Sequence, residues 1–436
     1  MRPALVDRHS LFVVIALACL VFGAPMFDGR TGAAERAVAW PLETADPADV
    51  GLSAERLERL HLGMQRMVDE EKLAGSVTLL ARHGKVAYVD AVGARNVETG
   101  ELMSRDSIFR IFSMTKPIVG AAMMMLYEEG EWRLNDPVSR YIPELADLKV
   151  HVGETDDGAQ QVEELDRPML MRHLMTHTAG LGYTLNPRHP VHKMFIDQGV
   201  MNPDAPLQTM IDKMAKIPLL AQPGTRYVYS SAIDVQGYLV EKLSGQPLAE
   251  FLEDRILEPL NMVDTAFYVP PEKLDRVAVA HRPGPSGGLL RADDARAQIR
   301  TTPPEGPSGG GGLYGTADDY VRFAQMMLNG GELDGVRLLA PRTVEMMRTN
   351  HMSDQALQTR GRGQGWGLGF SVIMDAAAAG EPYGDGSYYW VGIAGTWFWI
   401  DPVNDLTFVG MIQHRGPAIQ EVQGLSRNLV YQAVIE

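Results

Sequence analysis

In the run Phe112-Ser113-Met114-Thr115-Lys116-Pro117 a hydroxyl and an amine stand three residues apart. Side chains at i and i+3 share a helix face, so a desolvated Lys116 amine can take the Ser113 proton. That chemistry makes Ser113 a nucleophile and Lys116 its base. Pro117 limits where the helix begins, because a ring without an N–H is tolerated only near a helix start. Ser113 then lies at an electropositive N-terminus. The competing reading, a capping serine beside a solvated lysine, is separated from this one only by the rest of the chain.

The elements that must position the pair are readable from periodicity. Residues 118–129 carry Ile118, Ala121, Ala122 and Met125 at i, i+3, i+4 and i+7, which predicts a helix with one apolar face. Upstream, Ser53 caps a predicted helix whose buried stripe is Leu57, Leu60, Met64 and Val68. Strand-like runs at 76–82 and 85–91 follow, joined by the two-residue turn His83-Gly84. The stretch 113–350 is mainly helical, including a helix over 317–328 capped by Thr316. Strands return after Gly365-Trp366-Gly367, at 397–400 and 406–413, and a last helix covers about 420–434. The expected organisation is a sheet domain built from 48–112 and 351–436, interrupted by a helical subdomain over 113–350. A cleft forms at such a junction, a common place for small-molecule sites.

Several conspicuous stretches point away from other chemistries. Residues 150–167 read as a solvated acidic loop, and its Asp156-Asp157 pair has no histidine at ligand spacing. His189 and His192 flank Pro190, which denies them a shared helix face and favours a surface loop over a zinc site. Gly309-Gly310-Gly311-Gly312 is followed by Leu313-Tyr314, not by the Lys and Ser or Thr of a phosphate-binding loop. These glycines instead suit close backbone approach beside the cleft, at the end of a long Pro- and Gly-rich loop over 281–312. No metal and no organic cofactor is expected.

With 436 residues, 45% of them hydrophobic and 22% charged, the chain can bury a large core in one large or two intimate domains. A formal net charge of −15 argues against nucleic acid or anionic membrane surfaces as partners. No obligatory protein partner is inferred. Arg2 and Arg8 precede an apolar run at 11–22, and Gly23-Ala24 or Ala33-Ala34 suits cleavage. This predicts a signal peptide within 1–34, a linker over 35–47, and a periplasmic or secreted enzyme, or one anchored by an uncleaved segment. Cys19 is the only cysteine and lies in that run, so the mature chain has no disulfide and no thiol nucleophile.

Four motifs follow one another in order: Ser113-Met114-Thr115-Lys116; Leu174-Met175-Thr176-His177-Thr178-Ala179-Gly180-Leu181; Pro223-Gly224-Thr225-Arg226-Tyr227-Val228-Tyr229-Ser230-Ser231; and Ala394-Gly395-Thr396-Trp397-Phe398-Trp399-Ile400-Asp401-Pro402. From about residue 48 to 436 the chain resembles the serine β-lactamase and penicillin-binding protein superfamily, most closely its family VIII carboxylesterases. The resemblance implies a β-lactamase/transpeptidase-like α/β (α+β) fold, an antiparallel sheet flanked by helices with a helical subdomain. It also implies an acyl-enzyme on Ser113, with Tyr229 of Tyr229-Ser230-Ser231 as base or as proton-sharing partner of Lys116. A phenol acts as a base only where positive charge favours its ionised form, and Lys116 would supply that charge.

Two departures bear on substrate. Ser231 stands where β-lactam-handling relatives carry asparagine, at a substrate-binding position. The family's third motif, a Lys or His followed by Thr-Gly, aligns with Trp390-Val391-Gly392. An indole in place of the cation resembles the esterase branch and predicts an apolar acyl or alcohol site, with Trp390 and Gly392 touching substrate. Arg415 and His414 are the alternative sources of charge. The oxyanion hole implied by the family is the backbone N–H of Ser113 and that of Ile393. His177 belongs to a structural turn, since a Ser-His-Asp site also needs a nucleophile elbow that Ser113 lacks. The expected activity is therefore hydrolysis of a small-molecule carboxylic ester. The alternatives are a β-lactamase or a D-alanyl carboxypeptidase or D-aminopeptidase acting on an amide or lactam, and a non-catalytic peptidoglycan-binding relative.

Overall fold

The computed structural model describes residues 42–436 except 157, 158, 185, 295 and 296. The signal segment, Cys19 and Asp157 lie outside the described residues.

Ser53 caps α1 (Ala54–Asp69) by accepting from the Arg56 N–H at 3.3 Å. Leu57, Leu60 and Met64 form the buried stripe as their spacing predicts, with Met67 buried and Val68 at the edge of the cluster. Strands β1 (Gly75–Arg82) and β2 (Lys85–Asn96) pair antiparallel across His83 and Gly84, whose φ angles of 52° and 76° give the twist-matched two-residue turn. After β3 (Glu101–Leu102) the chain runs through α2 (Thr115–Glu128), α3 (Ala232–Ser244) and α4 (Ala317–Leu328) before the sheet resumes. It resumes with β4 (Gln364–Trp366), β5 (Ser371–Ile373), β6 (Tyr388–Val391), β7 (Trp397–Asp401) and β8 (Leu406–Met411), and α5 (Ala418–Tyr431) closes the chain. The sheet order is β4-β5-β6-β7-β8-β1-β2-β3, antiparallel throughout, so both chain ends meet at the β8–β1 pair.

Alternation along the strands divides the core into two layers. Leu80, Trp397, Trp399 and Phe408 face α1 and α5, which pack on one another. Val77, Leu79, Phe398, Val409 and Met411 face the opposite way into the cluster that holds α2 and α4. Helix α4 lies directly on β1, β7 and β8 although it comes from the 113–350 stretch, so that stretch is not helical subdomain alone. Helix α2 is buried from Thr115 to Leu126 on every side, where one apolar face was expected. Met123 and Met124 supply the apolar surface off the expected face, and a helix apolar all round is a core helix.

Two expected loops are structured. Residues 150–167 contain the hairpin Val150–Glu154 with Gln160–Glu163. Pro190–Asp197 is a helix with Pro190 in its first position, and His189 Nδ1 accepts from the Val191 N–H at 3.3 Å. The proline that argued against a shared helical face is the residue that starts the helix. Among the described residues no helix is long and apolar enough to cross a membrane.

The first turn of α4 carries a titration that reaches global stability. Asp319 is buried, accepts from Thr265 Oγ1 at 2.6 Å and from the Asp264 N–H at 2.9 Å, and has no partner on Oδ1 among the described residues. Burial raises its pKa to about 7 despite those hydrogen bonds. An unfolded aspartate titrates near 3.9, so the native state holds the extra proton in between. Stability from this group is full below about pH 4 and is lost as pH rises through about 7. Asp319→Asn is expected to flatten that slope and to raise the melting temperature at pH 8 by a few degrees. Melting curves from pH 4 to 8 check it, and parallel slopes for both proteins would remove Asp319 as the cause.

Candidate active site

Ser113 lies in the single 3-10 turn Phe112–Met114 that leads into α2. The turn starts with Phe112 at φ 46°, a left-handed conformation that costs a non-glycine residue about 1–3 kcal/mol. Neighbours hold it in place. The Arg110 and Arg415 guanidinium carbons stand 4.5 Å and 5.6 Å from the Phe112 ring centre. Tyr320 of α4 donates to the Met114 carbonyl at 2.9 Å, and the Ile111 N–H donates to the Leu313 carbonyl at 3.0 Å. Sheet layer and glycine loop thus fix the backbone on both sides of Ser113.

One helical turn on, Lys116 is fully buried and donates to Ser113 Oγ at 3.2 Å and to the Gly310 carbonyl at 2.6 Å. Tyr229, two residues before the Ser231 N-cap of α3, donates to Ser113 Oγ at 2.6 Å. The Lys116 amine also stands 4.7 Å from the Tyr229 ring centre. Ser113, Lys116 and Tyr229, named from sequence, therefore meet in one hydrogen-bonded group. Two donors converge on Oγ, so negative charge developing there or on the phenol oxygen is answered by Nζ at close range.

Asp234 is the participant that the sequence reading missed. It is fully buried on α3, and its Oδ1 accepts from Ser308 Oγ at 2.6 Å and from the Gly310 N–H at 2.9 Å. Burial raises its pKa and the Lys116 charge opposes that rise. Gly310 is held through its N–H by Asp234 and presents its carbonyl to Lys116, so the carboxylate positions the lysine through the loop. The glycines serve the close approach expected of them: a Cβ on Gly310 would stand 2.4 Å from Asp234 Oδ2. Gly310→Ala is expected to lower kcat by about 10²-fold with a smaller change in KM, because it displaces the carbonyl that fixes Lys116. Wild-type kcat in this variant would detach the loop from the lysine.

His177 is fully buried behind Tyr229, with ring centres 4.9 Å apart, and its hydrogen bonds go to Ser230. Burial, reinforced by Lys116 and Arg360, holds its pKa well below the usual imidazole value. A neutral imidazole packed under the phenol is a support for Tyr229, as the structural-turn reading expects.

The hydrogen-bonded group opens into a cavity of about 970 Å³, at the upper end of small-molecule pockets. Ser113, Tyr229, Trp390, Val391 and Ile393 line it on the catalytic side. Its apolar lining includes Val200, Met201, Leu207, Met210, Phe267 and Ile299, interspersed with polar residues such as Asn202, Asp204 and Thr301. Residues 298–312 form part of the boundary, as expected for the loop over the site. Trp390 stands 5.5 Å from the Tyr229 ring centre and 4.6 Å from that of Trp366.

Two expected substrate contacts are not on the cavity wall. Ser231 is fully buried and donates its hydroxyl to the Gly182 carbonyl at 2.9 Å. Gly392 is buried against the strand end, where a Cβ would stand 2.2 Å from Thr396 Oγ1 and 2.6 Å from the Ile111 carbonyl oxygen. It lets β6 and the segment before Ser113 approach each other and touches no substrate space. Neither alternative source of charge lines the cavity. Arg415 pairs with Asp294 at 3.1 Å, and His414 is buried with its pKa lowered to about 4. Among the described residues no group of three or more His, Cys, Asp or Glu side chains could hold a metal ion.

Comparison with known proteins places this geometry in a wider set. The family model described as Beta-lactamase matches residues 63–430. An uncharacterized Mycobacterium tuberculosis protein is 37% identical over 369 residues, covering 80% of this chain and 88% of its own length. Esterase EstB of Burkholderia gladioli is 33% identical over 374 residues, 81% of this chain and 90% of that protein. Among solved structures, EstCE1, described as a hydrolase with promiscuous acyltransferase activity, superposes with a TM-score of 0.73 at 29% identity, covering 86% of this chain and 99% of its own.

Proposed function

The chain belongs to the β-lactamase family, and on that premise we propose that it hydrolyses carboxylic esters through an acyl-enzyme on Ser113. It is a serine hydrolase whose relatives include an esterase and a lovastatin esterase. The observation that carries the ester reading is the Ser113 hydroxyl held between Tyr229 Oη at 2.6 Å and Lys116 Nζ at 3.2 Å on the lining of a cavity that also carries Trp390, Val200, Met201 and Met210.

In this mechanism Tyr229 acts as a phenolate whose charge the Lys116 ammonium answers, and its oxygen takes the Ser113 proton as Oγ bonds to the ester carbonyl carbon. The tetrahedral oxyanion sits between the backbone N–H groups of Ser113 and Ile393, each contributing about 2.7–4 kcal/mol to barrier lowering. The C–O bond to the alcohol then breaks, and Tyr229 returns the proton to the leaving oxygen. Water enters, gives a proton to Tyr229 and attacks the acyl carbon; the acid leaves as that proton returns to Ser113 Oγ. No step calls on a metal or an organic cofactor. The lining residues Val200, Met201 and Met210 favour apolar acyl groups over small charged ones. The same reading locates the enzyme outside the cytoplasm, on the strength of Arg2, Arg8 and the apolar run at 11–22.

The test is turnover of p-nitrophenyl butyrate beside a chromogenic cephalosporin. Ester hydrolysis is expected to exceed cephalosporin hydrolysis by at least about 10²-fold in kcat/KM, the scale on which a site rejects a substrate whose polar group it leaves unpaired. Dominant cephalosporin turnover would make the chain a β-lactamase and void the argument from the indole. No covalent adduct with a serine-directed phosphonate would revive the non-catalytic reading.

A further inference from the structure

Among the described residues, Arg360 of the cavity lining has no acid to answer it. Arg300 at the rim is paired with Asp204 at 2.6 Å. Arg360, half-buried in the same wall, has no carboxylate within ion-pair distance among the described residues. Its guanidinium lies 4.5 Å from the Tyr227 ring centre and 5.5 Å from that of Trp366. Nη2 donates to Ser371 Oγ at 2.8 Å, while Nε is buried without a partner among the described residues. Two polar atoms nearby, Tyr227 Oη and Trp390 Nε1, are also without a partner among the described residues but, like Nε, are buried away from the cavity space. A guanidinium half withdrawn from water without a counter-charge carries a cost that an anion would relieve. What Arg360 lacks is an acceptor bearing negative charge.

We propose that Arg360 is the recognition site for a carboxylate on the alcohol portion of the substrate ester. The position of the alcohol follows from the proton path. Tyr229 must reach the leaving oxygen, so the alcohol extends past Tyr229 toward Trp390, whose ring contacts Trp366 beneath Arg360. This step rests on the ester mechanism above; the unanswered charge does not. A planar guanidinium stacked on two aromatic rings is preorganised for bidentate capture of a carboxylate. The cation absent from the third motif is thereby supplied by the segment just before β4.

The experiment uses a matched pair that differs in charge, 4-carboxyphenyl butyrate and 4-(methoxycarbonyl)phenyl butyrate, with wild type, Arg360→Met, Arg360→Gln and Arg360→Lys. Wild type is expected to favour the carboxylate ester. Met or Gln at 360 is expected to lower the ratio of kcat/KM between the two esters by about 10- to 100-fold, through KM, while Lys retains part of it. Binding of both esters to Ser113→Ala protein, and to that protein carrying Arg360→Gln, is measured by calorimetry, where no turnover is needed. A ratio unchanged in both Met and Gln variants, or equal binding of the two esters to Ser113→Ala, overturns the proposal. If no ester is turned over but the calorimetric preference is present and lost with Arg360, the anion site stands and the ester mechanism falls.

Discussion

Ser113→Ala is expected to lower ester turnover by at least about 10⁴-fold while leaving the fold and substrate binding in place. The size follows from what the hydroxyl does: without Oγ no acyl-enzyme forms, and only the oxyanion donors and binding remain to assist direct attack by water. The fold is spared because the neighbours of Ser113 keep partners of their own. Lys116 retains the Gly310 carbonyl at 2.6 Å, and Tyr229 is half-buried at the cavity mouth, where water takes the place of the serine hydroxyl. The Met114 and Ile111 backbone anchors do not involve the side chain. Wild type is therefore expected to take up one equivalent of a serine-directed phosphonate, and the variant none, with melting temperatures within a few degrees. Labelling of the variant, or retention of more than about 1% of turnover, would move the nucleophile elsewhere in the cavity.

The parts of this site that were legible from sequence are the local ones. Ser113 and Lys116 are three residues apart, and the i, i+3 relation alone brings Nζ to 3.2 Å from Oγ. The His83-Gly84 turn and the Thr316 cap, which accepts from the Asp319 N–H at 3.1 Å, are likewise settled within four residues. Tyr229 was found through the order of motifs, since nothing local ties it to a serine 116 positions away. Contacts that depend on tertiary placement were invisible. Asp234 matters because the glycine loop, 76 residues on, lays its Gly310 N–H on the carboxylate. Ser231 was expected to face substrate, but the turn into α3 aims its hydroxyl at Gly182 instead. Arg360 lay in a polar stretch with no pattern around it, and only the packing of Tyr227 and Trp366 beneath its guanidinium gives it meaning. That both strand-rich chain ends build one sheet was legible, and its antiparallel order came from the resemblance, whereas the docking of α4 on β8 required the structure.

Tyr229→Phe and Lys116→Met are each expected to reduce kcat by about 10³- to 10⁴-fold, and the double variant by little more than either alone. A positioned general base contributes about 10²- to 10⁴-fold, and here the phenol and the amine act on the same proton through one oxygen. Removing either stops the shared path, so the losses do not add. The two variants differ in stability, and that difference separates catalysis from architecture. Phenylalanine at 229 keeps the ring against His177 and Trp390, with centres 4.9 Å and 5.5 Å away, and gives up only a half-buried hydroxyl. Methionine at 116 leaves the Gly310 carbonyl without its donor and the buried Asp234 without the charge that opposes its desolvation. A cost of about 1–3 kcal/mol follows from that unsatisfied group alone. Urea unfolding should thus place Tyr229→Phe beside wild type and Lys116→Met well below it, while both lose kcat equally. If Tyr229→Phe instead keeps a tenth or more of wild-type kcat, the phenol is a support for Ser113 and Lys116 alone removes its proton.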